Sequence, residues 1–409
     1  MRKLELLAPA GDLEKLKIAV DYGADAVYFG GEMFSLRAGA GNLTIDEIRE
    51  GVEYAHSKNV KCHMTFNIFA HNEDIEPLRE YLGRIKDIPV DAFIVSDPGV
   101  IALIQEVMPD AELHLSTQAN MTNYATANFW YRQGVKRLVL ARELTFDEIR
   151  EIRQNIPEDM ELESFIHGAM CISYSGRCLL SNFMINRDAN RGQCAHPCRW
   201  KYKLVEEKRP GEYYPVEEDA RGTYIMNSKD LCMLEHIPEL AEAGISSVKI
   251  EGRMKSVFYV ATIVSAYRRA IDAYYADPER YEYDPEWMSE LKKASHREFT
   301  TGFYFSKPTD EDQNYQTSDY TRDHSFIGMV KSYDPETGMA VVEQRNKMVA
   351  GDEIEVFGPG TPFFTQKLDV LLNEEGEPIE SAPHPQQILR IKREHPVAEN
   401  FILRKLKNR

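Results

Sequence analysis

Residues 4–30, LELLAPAGDLEKLKIAVDYGADAVYFG, contain one complete strand–helix–strand unit and decide the predicted fold. The apolar runs at 4–8 and 26–30 are typical of strands that are buried on both faces. Between them, residues 13–22 carry a helical pattern that ends at Gly23, a common residue just after a helix. The unit therefore predicts parallel strands joined by a helical crossover.

The same alternation continues along the chain. The apolar runs cover residues 4–8, 26–30, 60–67, 92–96, 112–117, 137–141, 161–167 and 247–252. Helical patterns cover residues 13–22, 45–56, 75–86, 99–107, 123–133, 146–155 and 237–243. Eight such strands predict an α/β fold of the TIM type, a closed (β/α)₈ barrel, rather than an open doubly wound sheet. The first turn, APAGD, also lacks the G-x-G-x-x-G fingerprint of dinucleotide-binding sheets.

The spacing of the runs indicates an insertion and a second domain. The seventh and eighth runs begin 86 residues apart, at Glu161 and Ser247, and an insertion there lies at the face where barrel enzymes build their active sites. From about residue 325 the pattern changes to short strands separated by Gly and Pro turns. We therefore predict a barrel over residues 1–320, a cysteine-rich insertion at about 168–240 and a small C-terminal all-β barrel domain over residues 325–409.

Composition excludes several classes of protein. The 409 residues include 49 Lys+Arg and 66 Asp+Glu, and the resulting net charge of −17 argues against a general DNA-coating protein. No apolar run approaches the roughly 18 residues that a membrane span needs, and Glu5 and Asp12 interrupt the only candidate for a signal peptide. We expect a cytoplasmic protein without a membrane partner.

Five of the six cysteines lie between Cys171 and Cys232, with the spacing C-x6-C-x15-C-x3-C-x33-C. Such clustering favours metal ligation or redox chemistry over disulfides in a reducing compartment. A zinc ribbon would show two close pairs, and only Cys194 and Cys198 form one, so an iron–sulfur cluster suits the spacing as well as zinc or better. The alternative is that these are unliganded small apolar residues, as we expect for Cys62 in the third strand.

The segment ESFIHGAMCISYSGRCLLS at 163–181 resembles the signature of the collagenase-like peptidase family at every fixed position. That signature reads E-x-F-x-x-G-[SA]-[LIVM]-C-x4-G-x-C-x-[LIVM]-S. Further stretches that resemble the family are LAPAG at 7–11, RGQC at 191–194, SKDLC at 228–232, KIEGR at 249–253 and FTTGF at 299–303. The resemblance extends over the whole chain, including the predicted C-terminal domain.

The resemblance is strongest to family members that act in tRNA uridine hydroxylation, and it implies the activity, cofactor and partners. These are hydroxylation of the wobble uridine of tRNA to 5-hydroxyuridine, a [4Fe–4S] cluster, the dicarboxylate prephenate as co-substrate and a related partner chain. The cluster ligands that it implies are Cys171, Cys178, Cys194 and Cys232. Cys198 is then a fifth thiol without an assigned role, and an alternative is that it replaces Cys194 or Cys232.

The family name implies a second function, that of a peptidase of unknown catalytic type. The chain has no G-x-S-x-G turn and no H-E-x-x-H motif. A cysteine peptidase would pair Cys171 with His167 or Cys194 with His196, yet thiolates bound to a cluster are not free nucleophiles. A metal-free binding protein is a third class.

Polar residues that follow the predicted strands are the site candidates, because the active sites of barrel enzymes lie at these ends. The catalytic candidates are His167, Glu143, Arg142, Glu251 and Arg253, and the substrate-binding candidates are Arg37, Asn67, Gln118 and Lys249. Their cations suit a small dicarboxylate such as prephenate. In the alternative interpretation, Arg142–Glu143 and Glu251–Arg253 are salt bridges at the barrel rim and His167 is a hydrogen-bonded core residue.

Residues 171–203 carry six cations and one carboxylate, a local charge of +5, interleaved with four aromatic residues. Cations among aromatics suit single-stranded RNA, so this segment is the predicted contact with tRNA. The RNA-binding candidates are Arg187, Arg191, Arg199, Trp200 and Lys201. A basic run at 404–409 is a second candidate for contact with the RNA backbone.

Overall fold

The computed structural model describes residues 3–35, 41–171, 173–200, 203–205, 213–215, 229–306 and 320–407. The first seven strands are β1 (Glu5–Pro9), β2 (Ala26–Gly30), β3 (Lys61–Phe66), β4 (Ala92–Val95), β5 (Leu113–Leu115), β6 (Val135–Val139) and β7 (Glu161–Ala169). They alternate with the helices α1 (Leu13–Asp21), α2 (Ile45–Ser57), α3 (Asn72–Ile85), α4 (Pro98–Val107), α5 (Tyr124–Arg132) and α6 (Phe146–Gln154).

The region after β7 contains the predicted insertion and the last barrel strand. Its elements are α7 (Leu180–Ile185), β8 (Lys203–Val205), β9 (Tyr213–Pro215), β10 (Asp230–Cys232), α8 (Ile237–Glu242), β11 (Ser247–Ile250), α9 (Val257–Ala276), α10 (Pro285–Leu291) and β12 (Phe299–Thr300). The short elements α7, β10, α10 and β12 are absent from the sequence prediction, because pieces of two to seven residues carry too little periodicity to be recognised.

Strands β1 to β7 are parallel neighbours in order, and β11 pairs in parallel with both β1 and β7. The sheet is therefore a closed barrel of eight parallel strands, which confirms the predicted TIM-type fold. Every residue of β2 is buried, as expected for a strand between the barrel interior and the surrounding helices.

Strand β7 continues beyond the barrel, and its end pairs with β10 in the antiparallel direction. The facing pairs are Ala169 with Asp230, Gly168 with Leu231 and His167 with Cys232. The chain therefore leaves β7 into the cysteine-bearing segment and returns to the same strand end. This arrangement places the segment over the C-terminal mouth of the barrel.

The barrel interior contains an ion network centred on Arg137, which is 2% exposed. Its guanidinium contacts carboxylate oxygens of Glu5 at 3.1 Å, Glu161 at 2.6 Å and Glu163 at 3.2 Å. Lys249 donates to the other oxygen of Glu163 at 2.9 Å. Buried charges persist only when they are paired in this way, so the network explains why these strands tolerate charged residues.

The C-terminal domain is formed by β13 (His324–Asp334), β14 (Met339–Gln344), β15 (Met348–Val349), β16 (Glu353–Phe357), β17 (Phe364–Lys367), β18 (Leu371–Leu372), β19 (Ser381–Ala382), β20 (Ile388–Lys392) and β21 (Ile402–Leu406). Seven of these form one antiparallel sheet in the order β17-β16-β21-β13-β14-β20-β18. The prediction of a C-terminal all-β domain is therefore confirmed.

The two domains are joined by buried contacts. Arg404, fully buried, donates to Glu290 of the barrel domain at 2.6 Å and to Glu355 of its own domain at 2.7 Å. The rings of Phe258 and Phe326 stack across the boundary with centroids 6.0 Å apart. None of the helices within the described ranges combines the length and the apolar character that crossing a membrane requires.

Candidate functional site

A cavity of about 140 Å³ lies at the C-terminal mouth of the barrel, beneath the cysteine-bearing segment. The predicted site residues that line it are Asn67, Gln118, Arg142, Lys249, Glu251 and Arg253. They come from the ends of four different strands, as is usual for barrel enzymes. Arg37, a further predicted residue, lies outside the described residues.

Arg253 is 3% exposed and is oriented by two hydroxyl groups. Its Nη1 donates to Ser35 Oγ at 2.7 Å and to Thr65 Oγ1 at 3.2 Å, and the two hydroxyls are themselves 2.6 Å apart. A Cβ at Gly30 would lie 2.2 Å from Ser35 Oγ and 2.6 Å from Arg253 Nη1. The close approach therefore requires glycine at position 30, and the guanidinium is held by neutral groups.

Lys249 forms the floor of the cavity, with its Nζ over the Tyr28 ring at 4.2 Å from the centroid. Its ammonium is paired with Glu163. Burial disfavours the charged form of Glu163, but Lys249 and Arg137 outweigh that effect and lower its pKa. Lys249 thus connects the cavity to the ion network of the barrel interior.

Arg142 fixes the start of the cysteine-bearing segment to the barrel. It donates to the carbonyl oxygen of Ala169 at 2.8 Å and to Ser175 Oγ at 2.9 Å, and its Nη2 lies 3.8 Å from Cys171 Sγ. Among the described residues, no ion pair joins Arg142 to Glu143. Burial raises the pKa of the Glu143 carboxyl, with Arg142 opposing, but Glu143 does not line the cavity. Arg142 is therefore a positioning residue, and the structure gives Glu143 no contact with the site.

Gln118 is 4% exposed and lines the cavity. Neither its Nε2 nor its Oε1 has a hydrogen-bond partner among the described residues. Buried amides are rarely left in this state, because an unsatisfied polar atom costs about 1–3 kcal/mol. The amide is therefore available to pair with a donor and an acceptor of a molecule in the cavity.

His167, a predicted catalytic residue, does not line this cavity. It is 2% exposed, with its ring against Tyr259, Tyr267 and Phe299 and its Nδ1 3.4 Å from Tyr267 Oη. Burial, reinforced by Lys255 and His296, lowers its pKa to about 3. The reason is the extension of β7 past the barrel, which turns His167 toward α9, so His167 is the core histidine of the alternative interpretation.

The histidine that does line the cavity is His196, which lies between Cys194 and Cys198. It has a left-handed backbone conformation with φ of 55°, and its backbone N–H contacts Cys194 Sγ at 3.4 Å. From the sequence, His196 is a candidate only as the base that would activate Cys194 in a cysteine peptidase. Its position between two clustered cysteines was the signal that could have identified it.

Four thiols reach the cavity, those of Cys171, Cys178, Cys194 and Cys198. Cys232 instead lies on β10 behind the end of β7, 6% exposed, with its Sγ 3.7 Å from Tyr267 Oη. Burial raises the pKa of its thiol to about 11. Four cysteine side chains around one cavity are a suitable donor set for an iron–sulfur cluster, and they include Cys198 but not Cys232, the ligand that the resemblance implies.

The predicted RNA contacts that the structure describes fall into two settings, one engaged within the protein and two accessible at the surface. Arg191 forms two hydrogen bonds to Asp74, at 2.9 and 3.1 Å, and so fastens the cysteine-bearing segment to the start of α3. Arg187 is exposed, and Trp200 is 44% exposed, so both are accessible. The side chain of Arg199 and all of Lys201 lie outside the described residues.

Two of the four cations in the predicted basic run at the C-terminus are engaged within the protein, and a third, Arg409, lies outside the described residues. Arg404 is buried in the domain boundary, and Lys405 pairs with Asp352. Lys407 is exposed and lines a second space. This interdomain cleft, of about 650 Å³, lies between the barrel and the C-terminal domain and shares Ala169, His196 and Glu251 with the cavity.

Several functional residues were missed by the sequence reasoning. The side chains concerned are Tyr28, Ser35, Thr65, Ser175 and His196. Serine, threonine and tyrosine are common in strands and turns, so only their positions at strand ends or within the cysteine-bearing segment distinguished them.

Comparisons with known proteins agree over nearly the whole chain. Residues 11–314 match the family model described as Peptidase family U32, and residues 322–404 match that of the Peptidase family U32 C-terminal domain. The tRNA hydroxylation protein P1 of Bacillus subtilis (strain 168) is 47% identical over 405 residues, which is 99% of this chain and 95% of that protein. The tRNA hydroxylation protein P of Escherichia coli (strain K12) is 38% identical over 94% of this chain and 92% of that protein. A protein of Porphyromonas gingivalis (strain ATCC BAA-308 / W83) named Collagenase is 34% identical over 94% of this chain and 93% of that protein.

Proposed function

The chain belongs to peptidase family U32, and from this premise we propose that it hydroxylates the wobble uridine of tRNA to 5-hydroxyuridine. The proposal includes an iron–sulfur cluster as cofactor and prephenate as co-substrate. The observation that carries it is one cavity at the barrel mouth that collects four cysteine thiols, cations and the unpartnered amide of Gln118. Relatives named tRNA hydroxylation proteins support the tRNA substrate, and with it a cytoplasmic location.

Cys171, Cys178 and Cys194 are the proposed ligands common to both candidate ligand sets. The fourth thiolate is Cys198, which lines the same cavity, or Cys232, which the family resemblance implies. A [4Fe–4S] cluster, when bound, supplies one-electron redox chemistry. The chain's own residues position it, because Arg142 and Arg191 tie the cysteine-bearing segment to the barrel.

The cations of the cavity support binding of a small dicarboxylate. Arg253 is oriented by hydroxyls, and a guanidinium matches a carboxylate in a two-point geometry. Lys249 adds positive potential from the floor, although Glu163 neutralises much of it. Prephenate, with two carboxylates, fits this set of groups.

Gln118 supports recognition of the uracil ring. An amide donates through its nitrogen and accepts through its oxygen, and uracil offers a ring N–H beside a carbonyl oxygen. Because the amide of Gln118 has no partner among the described residues, it can satisfy both atoms with a base extruded into the cavity. Extrusion of a target base is the usual route by which enzymes reach its ring atoms.

The test is mass spectrometry of tRNA nucleosides from a strain that lacks this protein and any paralogue. We expect 5-hydroxyuridine and its derivatives to disappear and to return with the wild-type chain. The Cys171→Ser variant should fail to restore them, whereas Cys62→Ala, which changes a buried thiol in β3, should restore them. Unchanged 5-hydroxyuridine in the deletion strain would refute the proposal.

The choice of the fourth ligand requires a separate measurement on anaerobically purified protein. Iron content and thiolate-to-iron absorbance are compared for Cys198→Ser and Cys232→Ser. The variant that loses both signals identifies the ligand, and the other should retain them. A colourless wild-type protein after anaerobic iron–sulfur reconstitution would contradict cluster binding.

The peptidase function is the second candidate, favoured by the relative named Collagenase. It would need one of the cavity thiols as a nucleophile, with His196 as its base. Gelatin and casein hydrolysis by the wild type and by Cys194→Ser distinguishes the two functions. Hydrolysis that is lost in the variant would favour the peptidase.

A further inference from the structure

We propose that the interdomain cleft binds the phosphodiester backbone of the RNA nucleotides that flank the target uridine. This inference rests on the proposed function and names the surface by which the same site would hold its substrate. The cleft adjoins the cavity, since Ala169, His196 and Glu251 line both. A nucleotide whose base occupies the cavity would therefore have its sugar and phosphates in the cleft.

The charge of the cleft suits an anion. Three cationic side chains line it, those of Lys255, Arg322 and Lys407, and among the described lining residues Glu251 alone carries a carboxylate. Among the described residues, none of these three cations forms an ion pair with a carboxylate. In a chain whose net charge is −17, three cations without such partners around one opening are an unusual concentration.

These three cations differ from neighbouring cations in their ion pairing. Arg404 and Lys405, on the strand that leads to Lys407, are paired with Glu290 and Asp352 respectively. Lys407 and Arg322 are exposed instead, and Lys255 lies over the Tyr320 ring with its Nζ 4.0 Å from the centroid. Within the described ranges, carboxylates thus pair with the structural cations Arg404 and Lys405 but not with the three cations that face the cleft.

Two further features suit RNA rather than a simple anion. The N-terminus of α9, a helix of 20 residues, opens on the cleft at Ser256, and its positive end adds to the potential of Lys255. The partly buried rings of Tyr320 and Phe326 also line the cleft and offer apolar contact for a sugar or base. A volume of about 650 Å³ lies within the range of sites that enclose small organic ligands.

The experiment measures binding of an RNA hairpin that carries a tRNA anticodon loop with uridine at the wobble position. The wild type is compared with the triple variant Lys255→Ala/Arg322→Ala/Lys407→Ala by fluorescence anisotropy over a range of salt concentrations. We expect the triple variant to bind about tenfold or more weakly at low salt. The slope of log Kd against log salt should fall by about 2, because each phosphate contact to a single strand contributes about 0.7.

The matched control removes three exposed cations elsewhere, in the variant Arg84→Ala/Lys86→Ala/Lys367→Ala. Both triple variants change the net charge equally, so a general charge effect would weaken them alike. Equal binding by the two variants would overturn the inference. Thermal unfolding of both variants checks that the fold is unchanged.

A second measurement needs no variant. RNA that carries 4-thiouridine next to the wobble position is photo-crosslinked to the wild-type protein, and the linked peptides are identified by mass spectrometry. Links should map to peptides that contain Tyr320, Phe326 or Lys407. Links only to other surfaces would overturn the inference while leaving the proposed hydroxylation intact, and loss of the proposed function would instead show as unchanged 5-hydroxyuridine in the deletion strain.

Discussion

Two arginines five residues apart show how the closed interior of the barrel differs from its C-terminal mouth. Arg137, within β6, is surrounded by the carboxylates of Glu5, Glu161 and Glu163. Arg142, just after β6, is held by a carbonyl and a hydroxyl and lies beside the thiol of Cys171. Opposite charges neutralise the interior, whereas neutral groups orient the cation at the mouth and preserve its positive potential. The comparison separates charges that stabilise the fold from charges that serve a site.

The largest expected effect comes from breaking the interior network. Arg137→Ala leaves three carboxylates in or beside the barrel interior without their common partner, and loss of one side of a buried ion pair costs about 3–5 kcal/mol. Urea unfolding should show that decrease in the free energy of unfolding. The control is Lys136→Ala, on the same strand, whose pair with Asp159 is about half exposed and contributes only about 0–1 kcal/mol. Similar losses in the two variants would contradict the distinction.

At the mouth, Arg142→Ala should act on the cysteine-bearing segment more than on the barrel. The variant loses two hydrogen bonds from a charged donor, at a cost of about 2 kcal/mol. We expect faster hydrogen exchange in residues 169–178 and weaker retention of iron, with little change in the exchange of β2 and β3. Increased exchange throughout the barrel would show that Arg142 supports the whole fold instead.

The lowered pKa of His167 predicts that the stability of the fold depends on pH. Its pKa is about 3 in the folded chain and about 6.5 when unfolded, so the unfolded state binds one more proton between these values. Its contribution to stability is therefore complete above about pH 6.5 and falls by about 1.4 kcal/mol for each pH unit below that. His63 and His114, whose pKa values are also lowered by burial, act in the same direction.

The measurement for His167 is the free energy of unfolding of His167→Phe at several pH values between 5 and 7. Compared with the wild type, the slope against pH should decrease by the equivalent of about one proton. An unchanged slope would mean that His167 titrates normally in the folded chain.

The smallest expected effect separates stability from binding at Gln118. Gln118→Leu replaces an amide without partners among the described residues by an apolar group, which should raise the free energy of unfolding by about 1 kcal/mol. The same variant should hydroxylate tRNA poorly, since it can no longer pair with the base. A variant that is less stable and fully active would show that the amide has an internal partner and no ligand.

The fold was predictable because its signal is repeated. Units such as β1-α1-β2 carry runs of buried apolar residues, and helices begin at recognisable caps, as at Thr44 and Thr145 with their glutamates three residues later. The ion network around Arg137 was not predictable, because a charged residue in a strand pattern gives no indication of the partner that it meets across a closed barrel. Glu161 and Glu163 lie on the next strand, β7, but Glu5 lies on β1, 132 residues away in the chain.

The location of the candidate site was predictable from the sequence, but the set of residues that line it was harder to predict. Strand ends identified Gln118 and Arg253, since position along a strand fixes the face of the barrel. The same rule does not bring His167 to the cavity, because β7 continues beyond the barrel and pairs with β10, an antiparallel addition of three residues without a sequence signal. The orientation of Cys232 away from the cavity has the same origin.

The antiparallel pairing of Ala169 with Asp230 has a further consequence for the evolution of the molecule. Directly paired residues lie about 5 Å apart, a gap that a two-residue turn can close. The barrel fixes the two ends of the long connection close together. Because the entropy of loop closure grows only slowly with loop length, changing the length of this connection has a small effect on the free energy of folding. Insertions and deletions are therefore tolerated in this connection wherever they keep the contacts of Arg142 and Arg191 that hold the cysteine-bearing segment over the cavity.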